Sequence, residues 1–235
     1  MVVQLAGRHG YPTAAAFVPD GGDLAALARA ALGCQGCDLY EHATQTVFGE
    51  GTASADIVLV GEQPGDQEDK QGKPFVGPAG RLLDTALNDA GIARDRAYVT
   101  NAVKHFRWKP APGGGKRRVH AKPDLWQVSA CRPWLDAEFA RLSPRVVVTL
   151  GATAGQALFG SSFRIGTVRG ESLSWQSGPD GNELTVYRPC IPRRSSGSRA
   201  APNATRPTRA SSRTSKPRPR CYRTASTKPG NIWPS

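Results

Sequence analysis

Apolar residues along this chain fall into short runs separated by glycine, proline and charged stretches. Ile57-Val58-Leu59-Val60 is a continuous apolar run, the pattern of a strand covered on both faces. Ala97-Tyr98-Val99 predicts a second strand, Arg145 to Leu150 a third, and Leu184 to Tyr187 a further one. Between these runs the apolar spacing is helical. One helix starts at Asp23, its N-cap, and ends near Gly33. Another covers about 79–90, with Leu82, Leu83 and Leu87 on one face and Gly91 as its stop. A third covers about 125–141, and a short one follows Gly151. Strands alternating with helices imply one three-layer α/β domain with a central parallel sheet, spanning residues 22–187. Residues 1–21 read as a loose N-terminal arm, and 106–123 as a long loop rich in Lys, Arg, Gly and Pro.

Charge changes the picture only at the C-terminus. The net charge of the 235 residues is +12, but twelve of the 31 basic residues lie from Arg188 onward, where there is no Asp or Glu. The remaining 19 basic residues balance the 19 acidic ones, so the domain itself is neutral. The last 48 residues also hold eight of the nineteen prolines and little apolar periodicity, which predicts a disordered basic tail over 188–235. No apolar stretch is long enough to cross a bilayer and no secretory signal opens the chain, so a cytoplasmic protein with reduced cysteines is expected.

The densest chemistry lies in residues 61–84, GEQPGDQEDKQGKPFVGPAGRLLD, directly after the first strand. Carboxylates on a loop at a strand's C-terminal end occupy the usual active-site position of open α/β sheets. Glu62 and Asp66 are the candidates, while Glu68 and Asp69 read as solvated acidic residues. Cys34 and Cys37 form a C-x-x-C pair, a spacing that suits zinc, a redox pair, a larger metal centre or no function. Cys131 by itself reads as a buried helical thiol. Taken singly, Phe75 reads as core, Asn101 as a cap or turn residue, His120 as an exposed loop histidine and His105 as a buried one. The glycine-rich GATAG, 151–155, reads as a tight strand–helix turn.

Together, the loop 61–84, the segment YVTNAVKHF (98–106), the helix ACRPWL (130–135) and the strand–turn VVVTLGATAGQALFG (146–160) resemble the iron–sulfur uracil-DNA glycosylases. The loop GGGKRRVH, 113–120, resembles the X-type branch, UdgX, in which a histidine of that loop becomes covalently attached to DNA. The resemblance covers roughly residues 18–187. It implies a 4Fe-4S cluster held by Cys34, Cys37, Cys131 and His105. It implies catalytic roles for His120, Glu62 and Asp66, and substrate-binding roles for Gln63, Phe75 and Asn101. Phe75 would stack on an extruded base, and Asn101 would read uracil's N3–H and O4, an edge that cytosine does not match. Lys116, Arg117 and Arg118 would grip phosphates. The implied partner is uracil-containing DNA, preferably single-stranded, bound by a monomer with no membrane contact. His120 would replace water in glycosidic cleavage and leave a stable adduct. The alternatives are a hydrolytic enzyme that turns over and an inactive uracil- or abasic-DNA binding module.

The resemblance stops near Tyr187, where the family's His-Pro-Ser motif and a final helix are expected. Read from the third base of each codon, Pro189 to Gly197 can encode Val-His-Pro-Ser-Ser-Ile-Leu-Arg. Residues from about 186 onward are therefore expected to be frameshifted translation. The other reading is a genuine basic tail that adds nonspecific DNA affinity. The gene's nucleotide sequence decides between them: codons that fail to yield the motif in that frame end the frameshift idea.

Overall fold

A computed structural model of the chain describes residues 9–113, 117–164, 172–176 and 183–187. The expectations for Lys116 and for residues 188–235 fall outside them. The apolar runs form β1 (Ile57–Gly61), β2 (Ala97–Asn101) and β5 (Val146–Thr149), within one residue or two of their expected limits. β1 is buried along its whole length because it pairs in parallel with β2 on one side and β5 on the other. β7 (Glu183–Tyr187) adds in parallel to β5, and β6 (Ser172–Gln176) pairs antiparallel with β7. The order β2-β1-β5-β7-β6 makes a largely parallel sheet with one antiparallel edge strand. The chain steps from β1 outward to β2 and then crosses back to β5, so the strand order reverses at β1. Such a switch point opens a crevice beyond the strands' C-terminal ends.

The helices follow the sequence pattern with three informative differences. α1 (Leu24–Ala31) is capped as expected, with Asp23 Oδ1 accepting from Ala26 N at 2.8 Å. α3 (Pro78–Asp89) carries proline in its first turn, and Gly91 follows at φ 69°. α4 (Leu125–Phe139) and α5 (Ala152–Phe159) lie where expected. The first difference is α2 (Asp66–Gln71), which forms inside the segment read as an acidic loop. The second is a hairpin of β3 (Trp108–Pro110) and β4 (Arg118–His120) within the segment read as a long loop. The third is the arm, whose described part is anchored. Ala14 is buried, Phe17 and Val18 pack on the core, and His9 stacks on Trp126 at 4.2 Å.

One core face gathers Leu27, Val58, Val60, Tyr98, Trp134 and Leu135, and the other gathers Ile57, Leu59, Leu87 and Val99. Into the first is set a buried ion pair, Lys104 Nζ to Glu138 Oε2 at 2.6 Å, with both side chains at or below 1% exposure. Glu138 also accepts from the hydroxyls of Tyr98 and Thr100, each at 2.9 Å. Lys104 uses its other protons on Thr100 Oγ1 at 2.6 Å and on the Asn101 carbonyl at 2.9 Å. All three ammonium protons are thus satisfied, the condition under which a buried pair is tolerated. Gly49 makes the room, since a Cβ there would collide with the Tyr98 hydroxyl and the Glu138 carboxylate. Among the described residues no helix is long and apolar enough to cross a membrane.

Candidate active site and metal centre

Three strand ends converge on the crevice. Glu62 follows β1, Asn101 ends β2, and the Gly151 turn after β5 leads into α5. Gly61 is where the crevice is shaped. A Cβ on it would strike Asn101 Oδ1 and lie 2.8 Å from Phe75 Cζ, so the amide and the ring edge meet over the same missing side chain. Phe75 has φ 57°, a left-handed conformation that a bulky residue rarely adopts. Such strain costs roughly 1–3 kcal/mol and persists where surrounding structure imposes it. Gly80 of α3 leaves room for it, because a Cβ at 80 would run into the Phe75 carbonyl. The sequence-expected stacking face and edge-reading amide are therefore brought together.

His120 is brought to the same crevice. Its Nε2 lies 3.2 Å from Glu62 Oε1, and its side chain is 51% exposed. The other carboxylate oxygen, Oε2, accepts from the Thr153 hydroxyl. Burial pushes the Glu62 carboxyl up, but the hydrogen bonds from His120 and Thr153 outweigh it and hold the group below its usual range. Glu62 is thus an ionised carboxylate with one oxygen on an imidazole.

The side chain of Gln63, expected at the substrate, is engaged within the protein. Its amide nitrogen donates to the carbonyls of Arg107 and Ala121, both at 3.0 Å, and its oxygen accepts from Arg107 N at 3.1 Å. Every hydrogen of the amide is engaged, so it clamps the base of the β3–β4 hairpin beside Glu62. Because Gln63 and Ala121 flank Glu62 and His120, this clamp sets the carboxylate–imidazole approach.

Arg118 and Asp66 also depart from expectation. Arg118 Nε binds Asp66 Oδ1 at 2.7 Å and Nη1 binds Asp69 Oδ2 at 2.6 Å, with the guanidinium over the rings of Phe106 and Trp108. A guanidinium paired with two carboxylates and stacked on two rings is anchored within the protein, so its expected grip on phosphate would have to come on top of these contacts. Asp66 is held below its usual range by Lys70 and Arg118, which leaves Glu62 as the carboxylate on His120. Glu68 and Asp69 are buried, not solvated. Glu68 accepts from Gly65 N at 3.1 Å and Gly77 N at 2.8 Å, tying the start of α2 to the start of α3. Asp69, fully buried, accepts from Thr44 N at 2.9 Å as well as from Arg118. Glu68 had a legible signal, an acid at the third position of a helix after Gly65. Asp69 and Thr153 had none, because their partners are 49 and 91 residues away.

The four expected metal ligands lie on the opposite side of Lys104. Cys34 follows α1, Cys37 opens a 3-10 turn over Asp38–Glu41, Cys131 is on α4 and His105 follows β2; all four are buried. Trp134 Nε1 approaches Cys34 Sγ at 3.2 Å and Lys104 N approaches Cys131 Sγ at 3.3 Å. Burial pushes the Cys37 thiol up to about 11 and raises Cys131 further, and Cys34 contributes to both shifts. Thr46 donates its one hydroxyl proton to the Ala31 carbonyl at 2.9 Å, so at the 2.9 Å contact His105 Nε2 is the donor. Burial lowers His105 to about 4, hence the ring is neutral with a free lone pair on Nδ1. Cys34 and His105 both line a cavity of about 160 Å³. Among the described residues no three His, Cys, Asp or Glu converge tightly enough for one metal ion. Three buried thiols and a neutral imidazole are the donor set that these elements supply, the ligand types that iron–sulfur clusters and structural zinc take.

Comparison with known proteins bears on both sites. The family described as the uracil DNA glycosylase superfamily matches residues 48–226, a span that continues past residue 187. The chain is 38% identical over 146 residues to a type-4 uracil-DNA glycosylase of Thermotoga maritima, covering 62% of this chain and 71% of that protein. It is 37% identical over 150 residues to a type-4 uracil-DNA glycosylase of Sulfurisphaera tokodaii, covering 62% of this chain and 64% of that protein. With a third, from Saccharolobus solfataricus, the identity is 35% over 147 residues and the coverage 60% and 63%. The chain therefore spans somewhat less than two thirds of two of these three relatives.

Proposed function

The chain belongs to the uracil DNA glycosylase superfamily, and on that premise we propose that it excises uracil from DNA and is captured on the resulting sugar through His120. The observation that carries this reading is the 3.2 Å contact between His120 Nε2 and Glu62 Oε1 at the crevice formed by Phe75 and Asn101. A hydrolytic site needs its carboxylate open to water. Here an imidazole occupies that position.

Cleavage of the base–sugar bond leaves its electron pair on uracil and a cation on the sugar. Phe75 offers a flat face to the extruded base, and Asn101 offers both a donor and an acceptor for the uracil edge. A ring-nitrogen lone pair of His120 forms a bond to the anomeric carbon, and the proton on the ring's other nitrogen passes to Glu62. Gln63, Asp66, Asp69 and Arg118 hold the hairpin so that this approach is preorganised. Arg117 and Lys116 remain the phosphate contacts of the loop, with Arg118 supporting them from inside. Uracil in a single strand needs no unpairing and is the favoured substrate.

We further propose a 4Fe-4S cluster on Cys34, Cys37, Cys131 and His105. When bound it serves as a structural tie between α1, the exit of β2 and α4 and takes no part in the reaction. Purified protein should absorb broadly in the visible, and Cys131→Ser should lose that absorption; a colourless wild-type protein with intact thiols refutes the cluster.

The catalytic reading is tested with uracil-containing single-stranded and duplex oligonucleotides at stoichiometric protein. A protein-sized shift on a denaturing gel, matched by one uracil released per protein, is expected, faster on the single strand and weaker as salt rises. Repeated uracil release without a shifted band means hydrolytic turnover. Binding with no release means an inactive module.

A further inference from the structure

The carboxylate of Glu62 has two oxygens with two different partners. Oε1 faces His120, whereas Oε2 accepts from Thr153 Oγ1. Thr153 is 1% exposed and is the second residue of α5. It reaches Glu62 because β1 and β5 are adjacent and parallel, with Leu150 N bonded to the Val60 carbonyl at 2.8 Å. The Gly151 turn, at φ 115°, then starts α5 directly beside the end of β1. That turn conformation admits glycine readily and other residues rarely. A β-branched side chain has few χ1 choices, so the hydroxyl is a directed donor. The start of α5 adds a favourable field for an anion.

We propose that Thr153 is a positioning residue for Glu62, pinning Oε2 so that Oε1 is presented to His120. This rests on the reading of Glu62 as the group that takes the imidazole proton. A carboxylate free to rotate would divide its time among orientations, and only some accept that proton. Thr153 removes this freedom while leaving one oxygen unoccupied except by the imidazole. It touches neither substrate nor nucleophile and acts only through Glu62.

The test compares Thr153→Val, which keeps the shape and removes the hydroxyl, with Thr153→Ser, which keeps the hydroxyl. The single-turnover capture rate is measured across pH, and the Glu62 carboxyl is followed separately by carbon NMR in protein without DNA. Thr153→Val is expected to capture about tenfold more slowly, a fraction of the full effect of a positioned proton acceptor. Its acid limb should move to higher pH, because a carboxylate that loses a donor is easier to protonate. The Glu62 NMR titration should move the same way, and Thr153→Ser should restore both. In a Glu62→Gln background Thr153→Val should add nothing. An unchanged rate and titration in Thr153→Val, or an equal loss in the Glu62→Gln background, overturns the proposal. If wild type releases no uracil while the NMR titration shifts as expected, the catalytic reading fails and the positioning of Glu62 stands.

Discussion

Replacing His120 with glutamine should abolish the covalent species, with a drop in capture rate of at least about 100-fold, the lower range for loss of a directly acting side chain. Uracil release should persist. The space left by the imidazole admits water to Glu62 Oε1, and a carboxylate beside a cationic sugar can direct that water as in ordinary glycosidic hydrolysis. The substitution should therefore convert stoichiometric uracil release into slow turnover. Stability should hardly change. The ring is half exposed, and exposed ion pairs contribute only about 0–1 kcal/mol. An unaltered melting temperature would exclude unfolding as the cause of the lost band. A band of undiminished intensity in this variant means that another residue is the nucleophile.

The second large effect is expected behind the site. Lys104→Met leaves Glu138 buried with only Tyr98 and Thr100 as donors, so the variant should lose about 3–5 kcal/mol, the cost of stranding one member of a buried pair. That is a large share of a domain stability of about 5–15 kcal/mol. At roughly 2–4 °C per kcal/mol for a chain of this size, the melting temperature should fall by about 6–20 °C. Lys104→Met combined with Glu138→Leu should recover part of the loss, since a packed apolar pair can equal or exceed an ion pair in the interior. Thermal and urea denaturation of the single and double variants measure this, and a single variant as stable as wild type disproves the account. The effect should also reach the substrate pocket. Lys104 Nζ holds the Asn101 carbonyl, while the Lys104 amide lies against Cys131 and His105 is the next residue. The crevice and the proposed cluster site thus share one residue as a support, the first through its side chain and the second through its backbone amide.

Much of the frame was legible because it depends on local rules. An unbroken apolar run such as 57–60 has few ways to be buried other than as a central strand, and Asp23 followed by a helical pattern is a start signal wherever it occurs. The residues around the crevice were legible for another reason. Glu62 and Phe75, Asn101, and His120 stand in three separated motifs that match a known family in order. Their roles were less legible than their positions. Gln63, Asp66 and Arg118 stand in the matched motifs, yet in the folded chain Asp66 and Arg118 pair with each other and Gln63 bonds the base of the hairpin.

The amino-acid sequence alone determined the parallel strands β1, β2, β5 and β7, the helices α1, α3, α4 and α5, the neutral charge of the domain and the set of residues from which a site is built. Only the tertiary structure decided which of those residues face the crevice. Asp69 is an acid in an acidic segment, and nothing within a few residues marks it as buried. Its burial comes from Arg118, which folding brings across 49 residues to pair with it. α2 has no apolar stripe, and its capping by Glu68 and pairing with Arg118 stand in for one. The β3–β4 hairpin is too short and too polar for periodicity to reveal, and Gln63 closes its base. Thr153 meets Glu62 only because parallel strand order makes β5 the neighbour of β1. In each case the deciding energy is a hydrogen bond or ion pair between residues far apart in sequence. Such a term has no local signature until the sheet has set its strand order.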